Sequence, residues 1–242
     1  RPARRRAGPR RLNRPGVDLS SDMKLALFDL DHTLLPYDSG MEWTRFLVAR
    51  GVVEAAQEAD YLAHCKAYVE GRLGIAALHR SMFAPLTRLT RAELSHWLDE
   101  FETEVSTRLP YAARVLVARH LGAGDLCCIV TATSRLIAER FARAFRIEHV
   151  LATESAVDSH GVPTGEIVGP PCHGAHKLDK VRAWLDSQGR PLDRLEHSWF
   201  YSDSASDLPL LRAVSQPVAV RPDARLRGIA QYEGWPIEML GG

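Results

Sequence analysis

The sequence predicts an α/β fold: a doubly wound parallel sheet with an all-helical segment inserted after its first strand. Two observations carry this prediction. From residue 110 onward, short apolar runs alternate with amphipathic helical patterns, and such alternation forms parallel sheets covered on both faces. Residues 37–108 show helical patterns alone. We therefore expect a core domain of residues 23–36 and 109–242, a helical cap domain of residues 37–108, and a disordered arginine-rich extension over residues 1–22.

The first predicted strand ends in two aspartates. The apolar residues 25–28 precede Asp29 and Asp31, which would share one face because side chains alternate along a strand. Carboxylates are rarely buried without a partner, and open α/β sheets bind ligands at the carboxyl ends of their strands. A lone Asp-x-Asp is more typical of a capped turn. The assignment of a cation site here therefore depends on motifs further along the chain.

The inserted segment contains four predicted helices. Gly51 and Gly71 follow the first two, at positions where a C-cap belongs. Thr90 and Glu93 form a capping-box pattern that begins the fourth. The four helices are expected over residues 42–50, 54–70, 75–83 and 91–108.

The second half of the chain supplies the other strands and helices of the core. Turn residues at 158–161 predict a β-hairpin between residues 154 and 169. Strands are expected over residues 125–131, 149–152, 197–201 and 217–220, and helices over residues 110–120, 135–145, 177–187, 208–214 and 223–231.

Composition and charge exclude several classes of protein. No apolar run approaches the ~20 residues of a membrane span, so no membrane partner is expected. Residues 1–22 hold seven arginines and two aspartates, whereas the whole chain carries a net charge of +1. The folded body is therefore acidic and is not expected to bind nucleic acid. The four cysteines show no Cys-x-x-Cys spacing, which favours a reducing cytoplasm.

The arginine-rich start is open to three interpretations. It could be a basic arm or an organelle-type presequence. It could also be a misplaced start or an extension without function, because Met23 stands directly before the first predicted strand.

Three further polar groups lie at strand ends or helix starts. Thr131 ends the second predicted strand, ahead of a helix whose N–H groups could bind phosphate. Lys177 begins another helix, although a lone lysine is usually a solvated surface charge. Asp203 and Asp207 follow the strand at 197–201, which places them at the same sheet edge as the first two aspartates. Four acids there would repel one another unless a divalent cation and a lysine held them.

In order and spacing, these residues resemble the four motifs of the haloacid dehalogenase superfamily of phosphohydrolases. The helical insert is similar to the C1 cap of the phosphoserine phosphatase-like branch, subfamily IB. Ser202 departs from the pattern, because many relatives have glycine before the metal-binding aspartate, but a tight turn should tolerate serine. The motifs are Asp29-x-Asp31-x-Thr33, Thr131, Lys177 and Asp203-Ser204-x-x-Asp207.

The resemblance implies a phosphomonoester hydrolase that acts on a small phosphorylated metabolite, such as a phosphoserine-like or histidinol-phosphate-like ester. Asp29 would be the nucleophile and would form an aspartyl-phosphate. Asp31 would protonate the leaving alcohol and later activate water, a role that needs a raised pKa. Asp207 would orient Lys177 or a water beside the metal.

The resemblance also implies Mg²⁺ as the cofactor, because Mg²⁺ takes oxygen ligands and substrate phosphate. The carboxylates of Asp29 and Asp203 and the backbone carbonyl of Asp31 would bind the ion. Thr131 and Lys177 would bind the phosphoryl oxygens.

Substrate choice is expected to depend on the inserted helices. Asp38 matches the position from which phosphoserine phosphatases place a cap glutamate that reads the substrate amine. It could equally be the turn and N-cap of the first inserted helix. Arg72 and Arg80 are candidates for binding a substrate carboxylate, although solvated surface positions are typical of such arginines.

Two other functions are compatible with the sequence. A phosphotransferase or phosphomutase would use the same aspartyl-phosphate with an alcohol or sugar in place of water. A non-catalytic binding module would use the basic N-terminal arm as its working part. The sequence indicates neither the particular phosphate ester nor the oligomeric state.

Overall fold

The computed structural model describes residues 23–241, so the disorder predicted for residues 1–22 falls outside the described residues. The seven strands are β1 (Lys24–Phe28), β2 (Leu126–Ser134), β3 (His149–Val157), β4 (Pro163–Val168), β5 (His197–Ser202), β6 (Gln216–Val220) and β7 (Ile237–Glu238). They form one sheet in the order β4-β3-β2-β1-β5-β6-β7. Adjacent strands are parallel except β3 and β4. The predicted α/β class and mostly parallel sheet are confirmed.

The central strand β1 is buried on both faces. Leu25 and Leu27 face one apolar cluster, whereas Ala26 and Phe28 face the other. A strand covered on both sides needs apolar residues at every position, which explains the continuous apolar run in the sequence. This burial fixes the end of β1, and hence Asp29, at the centre of the sheet edge.

Helices cover both faces of the sheet. The first six helices, four of them from the inserted segment, share the cluster around Phe28, whereas the last three pack against Leu25 and Leu27. No helix among residues 23–241 is long and apolar enough to cross a bilayer. The helices are α1 (Ser39–Ala49), α2 (Ala56–Val69), α3 (Ile75–Phe83), α4 (Arg91–Thr107), α5 (Tyr111–Gly122), α6 (Arg135–Phe145), α7 (Ala175–Ser187), α8 (Leu208–Leu211) and α9 (Ala224–Glu233).

The inserted helices are attached to the core at two places. On α4, Phe101 packs edge-on against Phe141 of α6 with ring centroids 5.6 Å apart. On α3, the backbone meets β4 so closely that a Cβ on Gly165 would lie 3.1 Å from the Cα of Arg80. Gly165 also has a φ of +85°, which favours glycine. The division into a core domain and a cap domain stays a prediction, since these helices share one continuous apolar cluster with the sheet.

Several predicted boundaries are wrong by a few residues, for identifiable reasons. Strand β2 continues past Thr131 to Ser134 because Ser134 pairs with Thr153 of β3. Strand β3 continues to Val157 because its second half pairs with β4, so the predicted hairpin consists of β3 and β4. The helix predicted over residues 208–214 ends at Leu211, because residues 212–215 form the turn that leads into β6. Strand β7 was not predicted, since two residues are too short to show a pattern.

Candidate active site

Residues from three distant parts of the chain meet in a buried ion-pair cluster. Lys177 Nζ lies 2.7 Å from Asp29 Oδ1 and 2.7 Å from Asp207 Oδ2. All three side chains are buried. Asp29 follows β1, Lys177 lies in the first turn of α7, and Asp207 ends a 3₁₀ turn after β5. The fold therefore places these groups at the carboxyl edge of the parallel strands, where α/β sheets bind ligands.

The Thr33 hydroxyl joins Asp203 to this cluster. It donates to Asp29 Oδ2 at 3.0 Å and accepts from the backbone N–H of Asp203 at 3.0 Å. The same oxygen lies 3.3 Å from Asp203 Oδ1. Two carboxylates separated by 174 positions in the chain are thereby held around one hydroxyl.

A tight turn after β1 presents Asp31 to the inserted helices. Asp29 N–H still donates to the carbonyl of Tyr201 at 3.0 Å, as in the strand ladder. Residues Leu30–Leu34 then form a π-type turn in which His32 takes a left-handed φ of 59°. The Asp31 carboxylate accepts the backbone N–H of Ser39 at 2.7 Å and the hydroxyl of Thr133. The first N–H of α1 thus points at this carboxylate, as helix N-termini do with anions.

Lys177 is buried, and the helix that carries it begins after a glycine. Gly174 has φ 57° and ψ −130°, a conformation essentially restricted to glycine, and it is the N-cap of α7. The lysine side chain is only 3 % exposed. The alternative of a solvated surface lysine is therefore wrong.

Burial dominates the electrostatics of the site. It raises the pKa of Asp29 to about 6, because the ion pair with Lys177 only partly offsets the loss of solvent. Burial, with the charge of Asp38, raises the pKa of Asp31 to about 6. Burial and the charge of Asp29 raise the pKa of Asp203 to about 8. Burial opposes the charge of Lys177, yet Asp207 and Asp29 raise the pKa of that ammonium above its ordinary value.

This arrangement fits a cation held by few protein ligands. Among residues 23–241, no three His, Cys, Asp or Glu side chains converge as a metal-binding group. Mg²⁺ typically uses one or two carboxylates together with substrate phosphate and waters. Asp29 and Asp203 supply two carboxylates around Thr33, and burial makes their negative charges costly without a cation. Asp207 Oδ1 is buried with no hydrogen-bond partner in the described part of the chain, so this oxygen keeps an unused capacity to accept a hydrogen bond.

Thr131 is buried at the floor of the site, within β2 rather than at its end. Its hydroxyl accepts the N–H of Thr133 at 3.1 Å, and both threonines line the cavity. The sequence motifs predict no contact for Thr133, Ser39 or Ser202. Strand alternation from Thr131 could have found Thr133. Ser202 donates to Asp207 Oδ2 at 2.7 Å, so its departure from glycine supports that carboxylate.

A cavity of about 640 Å³ separates the sheet edge from α2 and α3. Its core wall contains the residues described above. Its opposite wall is mostly apolar and aromatic, and includes Tyr61, Leu62, Tyr68, Leu78 and Met82. The volume is in the range of small-molecule sites.

Asp38 and the two candidate arginines differ in position. Asp38 lines the cavity and also caps α1, accepting the N–H of Met41 at 2.7 Å. The two interpretations of Asp38 are thus compatible. Arg72 pairs with Glu70, and Arg80 lies 3.1 Å from Glu166, both on the exposed surface. Neither arginine lines the cavity, so the hypothesis that they bind a substrate carboxylate is wrong for this arrangement.

Comparison with known proteins identifies relatives over almost the whole chain. The sequence model of the haloacid dehalogenase-like hydrolases matches residues 26–212. A histidinol-phosphatase from Neisseria meningitidis serogroup C is 37% identical over 215 residues, which cover 88% of this chain and 97% of that protein. A phosphoserine phosphatase from Mycobacterium tuberculosis is 33% identical over 229 residues, covering 92% of this chain and 72% of that protein.

Solved structures show the same architecture. A Bordetella pertussis protein, described as having unknown function, is 37% identical with a TM-score of 0.83, covering 91% of this chain and 100% of that one. A substrate-bound phosphoserine phosphatase has a TM-score of 0.63 at 17% identity, covering 91% of this chain and 95% of that one. At this identity, the second likeness concerns the fold alone.

Proposed function

Because this chain belongs to the haloacid dehalogenase-like hydrolase family and is a phosphatase, we propose that it hydrolyses the phosphate monoester of a small amino alcohol through an aspartyl-phosphate on Asp29. The observation that carries this proposal is the buried cluster in which Lys177 holds Asp29 beside Asp203 and Asp207. Because a phosphatase is an enzyme, the alternative of a non-catalytic binding module is not kept.

Asp29 is the nucleophile in this proposal. A carboxylate oxygen attacks phosphorus, the bond from phosphorus to the leaving oxygen breaks, and an aspartyl-phosphate forms. Lys177 orients the attacking group through its 2.7 Å contact with Oδ1. Its positive charge, with the hydroxyl of Thr131, receives the phosphoryl oxygens as negative charge redistributes over them.

Asp31 carries the proton in both steps. It donates a proton to the leaving alkoxide oxygen, and its carboxylate then takes a proton from the water that attacks phosphorus. The bond between phosphorus and Asp29 breaks in that second step, releasing inorganic phosphate and restoring the carboxylate. A pKa of about 6 suits this exchange, because both protonation states are accessible near neutral pH. Ser39 and Thr133 hold the carboxyl group in place.

The carboxylates of Asp29 and Asp203 and the carbonyl of Asp31 would hold Mg²⁺, and the ion would there neutralise the charge of the phosphate and of the acids around it. Asp207 keeps Lys177 in place and is itself supported by Ser202. A cytoplasmic location stays a prediction from the cysteine pattern.

The cavity favours an amino-alcohol phosphate that lacks a carboxylate. Five aspartates line it, whereas Lys177 is the one lysine and no arginine is present among the described lining residues. Lys177 is already engaged by two of those aspartates. A substrate carboxylate would therefore be desolvated without a free lysine or arginine to pair with, which is costly. A positively charged nitrogen would instead be attracted by Asp38 and by the faces of Tyr61 and Tyr68.

Histidinol phosphate has this chemistry: it carries an amine and an imidazole but no carboxylate. The relative from Neisseria named histidinol-phosphatase supports this choice over phosphoserine. We therefore propose a histidinol-phosphate-like ester as the substrate.

The test is phosphate release from matched esters with Mg²⁺ and with EDTA, without any added acceptor. We expect kcat/KM for L-histidinol phosphate to exceed that for L-phosphoserine at least about tenfold. Phosphoethanolamine, which has the amine but no carboxylate, separates the two features. Asp29→Asn should abolish release, whereas the exposed-surface control Asp186→Asn should not.

Each contrary result removes one part of the proposal. Equal or faster hydrolysis of phosphoserine would contradict the substrate class. Full activity of Asp29→Asn would remove the nucleophile. Turnover that required an alcohol acceptor would replace hydrolysis with phosphoryl transfer.

A further inference from the structure

Three non-glycine residues between positions 23 and 241 have a left-handed φ: His32 at 59°, Arg146 at 62° and Arg221 at 42°. Arg146 lies at the C-cap of α6, where this conformation is common. The other two residues are in contact, because Arg221 Nε donates to the carbonyl of His32 at 3.2 Å. Strained backbone residues tend to cluster at functional sites, so this pair needs an explanation.

The Arg221 side chain binds the turn that contains Asp31. Besides the carbonyl of His32, its guanidinium donates to the carbonyls of Thr33 at 2.6 Å and Leu35 at 3.2 Å. These carbonyls belong to the turn over residues 30–34 and to Leu35, which ends it. A planar guanidinium with five N–H donors can satisfy several carbonyls at once, which a lysine cannot.

The loop that carries Arg221 also holds the second acidic motif. Arg221 follows β6, and two residues later Asp223 N–H donates to the carbonyl of Asp203 at 2.8 Å. Asp223 Oδ2 also accepts the N–H of Ala205 at 2.8 Å. One short loop therefore binds the backbone of both segments that supply acidic groups to the site.

We propose that Arg221 is a positioning residue for the phosphatase reaction: it fixes the turn over residues 30–35 so that Asp31 faces the leaving group. It touches backbone carbonyls of that turn and not the substrate, since it does not line the cavity. The inference rests on the proposed role of Asp31. The left-handed φ at position 221 is the conformational cost of directing the guanidinium at the turn.

The competing explanation is a purely structural role. Arg221 also donates to the carbonyl of Leu240 and could serve only to attach the end of the chain. A structural role would lower thermal stability in proportion to activity. A positioning role would lower kcat while stability and KM change little.

The discriminating variant is Arg221→Asn. Asparagine tolerates a left-handed φ better than arginine, so the backbone strain is relieved while the guanidinium is lost. Arg221→Lys keeps the charge but not the planar set of donors. Arg212→Asn removes an exposed arginine that pairs with Glu233 and is the control.

We expect Arg221→Asn to lower kcat about 100-fold, the scale of a small misplacement of a reacting group, with KM within about threefold of the wild type. The melting temperature should change little, and Arg221→Lys should recover less than a tenth of the lost rate. Amide hydrogen exchange at His32 and Leu35, which donate to the carbonyls of Tyr37 and Leu30, should accelerate at least about tenfold. Arg212→Asn should match the wild type throughout.

A loss of rate that parallels a loss of melting temperature would overturn the proposal, as would unchanged exchange at His32 and Leu35. Failure of the proposed function would look different. Wild-type protein that released no phosphate, or Asp29→Asn with full activity, would contradict the phosphatase chemistry, whereas the exchange measurement would still report on the contact between Arg221 and the turn.

Discussion

The two walls of the cavity are built in opposite ways. On the core wall, Lys177, Thr33 and the acids contact one another at 2.7 to 3.3 Å and are largely buried. The opposite wall, which α2 and α3 form, is called the cap wall here. On it, Tyr61 is the one buried side chain of α2, and Leu62 is 58% exposed. The cap wall offers apolar and aromatic surface with few hydrogen bonds.

This difference indicates a division of work. Groups that stabilise a transition state must be held in place before the reaction, which buried polar contacts achieve. Groups that select a leaving group need only shape, aromatic faces and one well-placed charge. Substitutions on the core wall should therefore affect every substrate, and substitutions on the cap wall should affect the choice among substrates.

The largest expected effect is on the core wall. Lys177→Met leaves the buried carboxylates of Asp29 and Asp207 without their cation, so we expect a loss of about 3–5 kcal/mol in the free energy of unfolding. Activity should fall for all esters alike. Chemical denaturation and phosphate release measure the two effects, and Lys66→Met, an exposed lysine on α2, is the control. A stable Lys177→Met variant would mean that the cluster is not held by this ion pair.

The next effect sharpens the role of the cap wall. Asp38→Asn preserves the N-cap of α1, because asparagine caps helices as well as aspartate, but it removes the charge. We expect kcat/KM for histidinol phosphate to fall about tenfold while that for p-nitrophenyl phosphate, which has no amine, is nearly unchanged. Unchanged kcat/KM for both esters would assign Asp38 to the helix cap alone, whereas equal losses for both would show that its charge acts on Asp31 and not on the substrate amine.

The contact between α3 and β3 should make the stability of the protein depend on pH. His79 of α3 donates to or accepts from the hydroxyl of Ser155 at 2.8 Å, and burial lowers its pKa to about 4 from an ordinary value of 6.5. The unfolded chain therefore takes up this proton first as the pH falls. The contribution of His79 to stability is complete above pH 6.5 and is lost between pH 6.5 and 4.

We expect the free energy of unfolding, measured by chemical denaturation, to fall by about 2 kcal/mol between pH 7 and pH 4.5 because of His79. A His79→Gln variant should show a flatter dependence, whereas His96→Gln, at an exposed position, should follow the wild type. Identical pH profiles for His79→Gln and the wild type would contradict the lowered pKa.

The smallest effect is expected on the outer surface of the cap. Arg80 and Glu166 form a pair with side chains 56% and 62% exposed. Such pairs contribute little, so Arg80→Ala should change the free energy of unfolding by less than about 0.5 kcal/mol. Hydrolysis of phosphoserine should not change, because Arg80 does not line the cavity. A selective loss of phosphoserine turnover would restore Arg80 as a carboxylate-binding residue.

The acids of the site and Lys177 were identifiable from the sequence because each lies in a short motif at the end of a strand or the start of a helix. The pattern of a buried strand indicates where the strand ends, and the carboxyl ends of parallel strands meet at one edge of the sheet. The fold class followed from the same alternation, and so did the helices α3 and α6, whose bounds match the predicted ones.

The residues that position those groups were not identifiable in the same way. Arg221 binds backbone carbonyls almost 190 positions away, and no sequence pattern marks a carbonyl as unsatisfied. Ser39 contributes a backbone N–H, which every residue except proline has. The orientation of Arg80 depends on the β3–β4 hairpin, a contact between distant segments. Local patterns indicate the reacting groups, whereas their support comes from tertiary packing.

The N–H of Ser39 that binds Asp31 belongs to the first turn of the first inserted helix. Asp31 of the core is thus hydrogen-bonded directly to the backbone of the first inserted helix. Were α1 to tilt outward when substrate enters or product leaves, Asp31 would lose a donor that favours its ionised form, and it would hold its proton more tightly. The opening of the cavity and the protonation of Asp31 would then be coupled directly through this hydrogen bond.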